Sequence, residues 1–161
     1  MRNKFVMVIV LLAALAGCTR QEKTAAISAA PDFTLKDLAG KAVHLGDLKG
    51  KVVLVEFWAT WCPPCRESIP GMERLHKAYQ GKGLVVLGVS MDTSGLDEIR
   101  SFAKEFGISY PVLRGDDEVA AKYMVRAIPM VYIVNKDGMI AKQYLGGAEE
   151  GDLEKDIKSL L

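Results

Sequence analysis

Two cysteines two residues apart, Cys62 and Cys65, carry the strongest chemical signal in this sequence. Thiol chemistry needs a sulfur that ionises easily and a second sulfur within reach. A helix start supplies the first condition, because its unpaired N–H groups and the positive end of its dipole favour a thiolate. The run Val52 to Trp58 reads as a buried strand, and helical spacing begins directly after the cysteines. Cys62 is therefore expected at the helix start and exposed, with Cys65 one turn in. Cys62 would attack a partner's disulfide, and Cys65 would resolve the mixed disulfide, releasing the reduced partner and leaving a Cys62–Cys65 bridge. A static bridge closing so small a loop would constrain the unfolded chain little. Zinc takes four ligands, and the only histidines are His44 and His76; haem attachment would place His at position 66, which is Arg66. No metal or bound cofactor is expected, only the redox-active cysteine pair.

The intervening Pro63 and Pro64 sharpen this reading. Proline fits the first helical turn but has no N–H. Two donors that could have reached the Cys62 sulfur are missing, and the Cys65 amide is the main one left. A thiolate with fewer donors is less stabilised, which favours the disulfide over the dithiol and predicts a reductant.

The elements that must position this pair follow from periodicity and turns. Phe33-Thr34-Leu35 and Val43-His44-Leu45 flank a Gly-containing turn and predict a hairpin at a sheet edge. Val52 to Trp58 is apolar on both faces except for Glu56, as expected of a central strand. Ile69, Met72, Leu75, His76 and Tyr79 continue a helix to Gly81-Lys82-Gly83, with a kink predicted at Pro70. Leu84 to Ser90 is a second buried strand, Gly95 to Phe106 an amphipathic helix, Pro111 to Leu113 a short strand and Glu118 to Tyr123 a short helix. Met130 to Val134 and Met139 to Tyr144 flank the turn Asn135-Lys136-Asp137-Gly138, and Gly151 to Leu161 closes the chain as a helix. Alternating strands and helices imply an α/β fold with parallel pairing and right-handed crossovers.

The first seventeen residues stand apart from this domain. Arg2 and Lys4 precede the apolar run Phe5 to Ala16, the pattern of a secretory signal, and the run is short for a bilayer crossing. Leu15-Ala16-Gly17-Cys18 resembles the lipobox of bacterial lipoproteins, which implies lipidation of Cys18. An ordinary signal with an incidental cysteine and a permanent N-terminal span are the alternatives. Residues 1–17 are thus read as a lipoprotein signal peptide, 18–30 as a polar lipidated tether and 31–161 as one domain. Cleavage before Cys18 takes two of the 21 basic residues and leaves 19 against 20 acidic ones, so the net charge falls from +1 to −1. No basic cluster remains for nucleic acid. Two cysteines are left in an oxidising, exported compartment where disulfides persist.

The run Val55-Glu56-Phe57-Trp58-Ala59-Thr60-Trp61-Cys62-Pro63-Pro64-Cys65-Arg66, with Pro70 and then Arg126-Ala127-Ile128-Pro129, resembles the TlpA/ResA-like thiol-disulfide oxidoreductases of the bacterial envelope. The resemblance spans Pro31 to Leu161. It implies a thioredoxin-like fold: a central mixed β-sheet flanked by helices, with an N-terminal β-hairpin and an inserted strand and helix between Leu113 and Tyr123. It implies that Pro129 is a cis-proline facing the disulfide, where the residues alone would suggest an ordinary proline starting a strand. Ile128 would offer backbone groups to an extended substrate segment, and Trp61, Ile128 and Met130 would form an apolar docking surface. Glu56 occupies the place where thioredoxin-like proteins bury a carboxylate below the second cysteine. If buried, its pKa would rise and it could take the proton of Cys65; the alternative is a solvent-facing charge at a strand edge. Many TlpA/ResA-like proteins carry a glutamate three residues after the second cysteine, where this chain has Ser68. That departure shifts the acid-base role to Glu56.

The expected activity is a protein-disulfide reductase acting on oxidised exported proteins, apocytochrome c among the candidates, as a monomer recharged by a membrane thiol reductase. The expected location is the periplasmic face of a membrane, the outer membrane included, or the outer face of the plasma membrane in a Gram-positive cell. A thiol peroxidase of the peroxiredoxin type is disfavoured because Ala59 replaces the Thr of its Thr-X-X-Cys arrangement. A copper-binding module is disfavoured because no histidine follows His76.

Overall fold

The computed structural model describes residues 28–161; Cys18, the predicted signal peptide and most of the predicted tether lie outside the described residues. The chain runs β1 (Thr34–Lys36), β2 (Ala42–His44), β3 (Val52–Trp58), α1 (Pro63–Tyr79), β4 (Leu84–Ser90), α2 (Leu96–Glu105), β5 (Val112–Arg114), α3 (Asp117–Lys122), β6 (Met130–Val134), β7 (Ile140–Leu145) and α4 (Glu150–Leu160). The main sheet has the order β5-β4-β3-β6-β7. β3 pairs parallel with β4 and antiparallel with β6, so the sheet is mixed with β3 at its centre. All seven residues of β3 are buried, which explains why its sequence shows no alternation.

Alternate residues of β3 feed two cores. Val52, Leu54 and Trp58 face α1, α2 and α4, packing with Ile69, Met72, Ile99, Phe102, Leu153 and Ile157. Val53, Val55 and Phe57 face the hairpin and α3, with Phe33, Leu35, Val119 and Tyr123. Glu56 belongs by parity to the first face, the one that α1 covers. The β1–β2 hairpin sits at the β5 edge of the sheet, where Asp37 bridges Leu113 and the Leu38 amide donates to Val112 O at 3.2 Å.

Local signals account for most boundaries. Cys62 caps α1 with two prolines following, and Gly83 ends the turn after it with φ 104°. The Asp116 carboxylate caps α3 by accepting from the Val119 amide at 2.8 Å. Asn135 Oδ1 accepts from the Asp137 and Met139 amides, building the β6–β7 turn.

α1 runs through Pro70, which lies on its exposed side, as one helix, as expected. Two boundaries differ from expectation. Pro111 precedes β5 rather than opening it: without an N–H it offers only its carbonyl, which accepts from the Gly88 amide at 3.0 Å. The end of the predicted tether is docked, because Ile140 N donates to Ser28 O and Ala30 N to Gly138 O, and Ala29 bridges Met139. Backbone groups of residues 28–30 find partners along the start of β7, so pairing begins before Pro31.

Gly88 of β4 sits beside Glu56 in the β3–β4 register. A Cβ there would lie 2.9 Å from both Trp58 Nε1 and Tyr110 Cε2, two rings with no freedom to retreat. Gly88→Ala is expected to lose about 1–3 kcal/mol in urea unfolding, the usual cost of overpacking; a loss below about 0.5 kcal/mol would show that the rings yield.

Candidate active site

β3 delivers the chain to Ala59, and the next three residues turn it into α1. The turn is held by a buried carboxylate: Asp92, just beyond the end of β4, accepts from the Thr60 amide at 3.1 Å to each oxygen, from Thr60 Oγ1 at 2.6 Å and from Ser90 Oγ at 2.7 Å. Arg66 fixes the same turn from the other side. Its Nη1 donates to Thr60 O at 3.3 Å while the guanidinium lies 5.1 Å and 4.8 Å over the rings of Phe102 and Phe106. Sequence reasoning missed Thr60, Asp92 and Arg66 as positioning residues. The signal available for Asp92 was its place just past the carboxyl end of a parallel strand beside the central one, where α/β sheets gather their sites.

Cys62 and Cys65 form a disulfide, with Cα atoms 5.3 Å apart. Cys62 is the N-cap of α1 in extended conformation, and the Cys65 amide donates to its Sγ at 3.3 Å. Pro63 and Pro64 occupy the first two helical positions, so Cys65 N–H is the one amide of the first turn that points at the sulfur. The Ile128–Pro129 bond is cis, and the Ile128 carbonyl oxygen stands 3.8 Å from Cys62 Sγ. In the disulfide this is a contact without a proton, since neither group has one to donate.

Two expectations need correction. Cys62 is only 3% exposed in the disulfide form, not open to solvent, because the Ile128–Pro129 loop is seated against the sulfur. Access to the bridge is over the rim made by Trp61, 68% exposed, and the exposed Pro63 and Pro64. Met130 does not line the docking surface: it is buried as the first residue of β6, packed in the core with Phe57, Tyr123 and Tyr132. The apolar surface at the disulfide therefore consists of Trp61 and the half-buried Ile128, with Pro129 beneath.

Glu56 is fully buried, as predicted, on the α1 side of β3. Its Oε1 accepts from Ser68 Oγ at 2.7 Å, and Ser68 Oγ also lies 2.9 Å from the carbonyl oxygen of Cys65. The side chain at the departure from the family pattern is thus what links the carboxylate to the resolving cysteine's turn. A serine hydroxyl has one proton. It can serve the ionised carboxylate, or receive a bond from the protonated one and turn its own proton to the Cys65 carbonyl. Burial pushes the Glu56 pKa up from 4.5 to about 7, against the smaller opposing effect of the Ser68 bond. A carboxyl near pH 7 is matched to taking and returning a thiol proton.

Comparison with known proteins adds the following. Residues 27–143 match the family described as AhpC/TSA. The thiol-disulfide oxidoreductase ResA of Geobacillus thermodenitrificans is 36% identical over 163 residues, covering 96% of this chain and 92% of that one. A putative thiol:disulfide interchange protein DsbE from Chlorobium tepidum superposes with a TM-score of 0.78 at 29% identity, over 83% of this chain and 96% of the other. The pneumococcal exposed lipoprotein thioredoxin of Streptococcus pneumoniae superposes with a TM-score of 0.69 at 30% identity, over 81% of this chain and all of the other.

The Glu56 shift has a consequence for stability. A carboxyl whose folded pKa exceeds its unfolded value binds protons more tightly when folded, so its contribution is complete below pH 4.5 and is lost as pH rises through about 7. The full shift corresponds to about 3 kcal/mol. In urea unfolding of the disulfide form, the stability of wild type relative to Glu56→Gln is expected to fall by up to that amount between pH 4.5 and 8. A flat difference would place the Glu56 pKa near its ordinary value.

Proposed function

The chain belongs to the AhpC/TSA family and, within it, to the thioredoxin-fold thiol-disulfide oxidoreductases that include ResA, and from that premise we propose that it is an exported, lipid-anchored reductant of protein disulfides. The exchange itself uses Cys62 and Cys65. Cys62 thiolate attacks one sulfur of the substrate disulfide and expels the other as a thiolate; Cys65, deprotonated by Glu56, then attacks Cys62 and expels the second substrate sulfur. Two electrons pass to the substrate and the bridge seen here is the product state.

The observation that supports the reducing direction is the single amide at Cys62 Sγ. Strong oxidants of this chemistry stabilise their reduced thiolate. Here the first two helical positions carry no N–H, so the thiolate has little to gain from the helix terminus beyond the dipole and the Cys65 amide. The reduced form is poorly stabilised and gives up its electrons readily.

Substrates are disulfide-bearing proteins, docked as an extended segment across Trp61 and the Ile128–Pro129 loop, with oxidised apocytochrome c one candidate. A membrane thiol reductase would return the cysteines to the dithiol state. Lipidation of Cys18 would hold the enzyme, as a monomer, on the periplasmic face of a membrane or the outer face of the plasma membrane. The Leu15-Ala16-Gly17-Cys18 run supports that anchoring, as does the description of the pneumococcal relative as an exposed lipoprotein.

Two measurements test this reading. The reduction potential should be close to or below the thioredoxin value of about −270 mV, and a value near the about −120 mV of a disulfide-forming oxidase would overturn it. Restoring one donor with Pro64→Ala should raise the potential by up to about 30 mV and lower the Cys62 pKa by up to about one unit. In cells, Cys65→Ser should accumulate mixed disulfides on Cys62 with exported proteins; if Cys62→Ser captures the same set instead, the roles of the two cysteines are reversed.

A further inference from the structure

Three buried polar atoms without a protein hydrogen-bond partner gather around Gly88: Glu56 Oε2, Trp58 Nε1 and Tyr110 Oη. Glu56 and Gly88 are opposite each other in the parallel register, and Trp58 follows two residues along β3 on the same face. The space a side chain at 88 would fill is taken by the indole N–H edge and the Tyr110 ring edge next to its hydroxyl. Each lone atom forfeits its hydration if left dry. Three facing one notch, a donor, an acceptor and a hydroxyl that serves as either, make the partner set that an internal water takes.

Ser109, the residue before Tyr110, binds the Glu73 carboxylate through its amide at 2.9 Å and its hydroxyl at 2.5 Å, and Lys77, largely exposed, lies 3.0 Å from the same carboxylate. Tyr110 is thus held in place through its neighbour by a carboxylate of α1 that is itself buried. α1 contributes Cys65, Ser68 and His76, whose ring packs edge-on at 6.0 Å from that of Tyr110 and whose Nδ1 is likewise buried without a protein partner. β6 contributes only Val131 beside Glu56, and the Tyr144 hydroxyl of β7 is turned to Asp156 at 2.5 Å.

We propose that Trp58 and Tyr110 hold an internal water against Glu56, and that this water hydrogen-bonds and stabilises the carboxylate that serves Cys65 as base. The proposal rests on the reading of Glu56 as the base for Cys65. Cys65 gives its proton to the Glu56 carboxylate. The water accepts from the Trp58 indole N–H, bonds the Tyr110 hydroxyl and donates to Glu56 Oε2, so the carboxylate that receives the Cys65 proton is less costly to hold ionised than it would be in a dry pocket. Tyr110 stays neutral throughout: burial and the negative charges of Glu56 and Glu73 push its pKa far above the working range. Burial opposes ionisation of Glu73, but the bonds from Ser109 and Lys77 outweigh it, so the group that anchors Ser109 is held as a carboxylate. Tyr110 and Trp58 are positioning residues in this scheme.

The test has two arms. In the unsubstituted protein, a water-selective nuclear Overhauser effect should appear at the Trp58 indole proton, and its absence overturns the water site. Tyr110→Phe should leave Cys62 alkylation unchanged, move the Glu56 carboxyl titration upward in carbon-13 spectra, and slow resolution of a mixed disulfide above pH 7 by about fivefold, the equivalent of one hydrogen bond of about 1 kcal/mol. If Glu56→Gln alters the pH profile of resolution and Tyr110→Phe does not, the support of Glu56 by the water and Tyr110 is wrong while the role of Glu56 stands. If Glu56→Gln alters nothing, both fall, and the indole measurement still decides whether the water is there.

Discussion

The contact between the Cys65 amide and the Cys62 sulfur joins every part of this molecule that matters for its chemistry. It exists because Cys62 caps α1, and Cys62 caps α1 because the chain leaves β3 through a turn pinned by Asp92 and Arg66. A cap normally uses a side-chain oxygen to satisfy an orphan N–H. Here a sulfur takes that place, so the group that ends the helix is also the group that reacts. Any shift of the turn would change the fold's helix start and the thiol's electrostatics together.

That coupling explains why two prolines are tolerated at this spot. At the first two helical positions an N–H would have no helical partner, so proline costs the helix nothing there. It removes donors from the sulfur alone. Helix geometry and redox poise are thus set by the same two residues, in one case by what they permit and in the other by what they withhold.

The architecture was legible because strand and helix periods are strong in this chain. β3 shows an apolar run interrupted only by Glu56, α2 a clean apolar face, and the Asn135 turn an acceptor side chain in its usual place. The site was legible only in part. Cys62, Cys65 and Glu56 announce themselves by type, but the burial of Cys62 and Met130 follows from where the Ile128–Pro129 loop folds back, a contact 66 residues distant in sequence. Thr60 and Asp92, 32 residues apart, look like ordinary loop residues until the sheet sets β3 beside β4. Local pattern carries the elements, and long-range pairing decides which side chains meet.

Glu56 and Ser68 together show how one acid can be relocated without losing its place. Two carboxylates in this pocket would repel and titrate as a coupled pair, one held protonated and of little use as a base. This chain keeps one, and carries it on the strand rather than on the helix. A strand residue paired on both sides, with Gly88 and Val131, is held by ladders that do not depend on the state of the cysteines. A residue in the second turn of α1 would ride with the helix start, whose capping sulfur changes from bridge to thiolate in each cycle. Ser68, which does sit there, is small, neutral and able to reverse its hydrogen bond. The charge stays on the fixed element while the adjustable partner sits on the one whose chemistry changes.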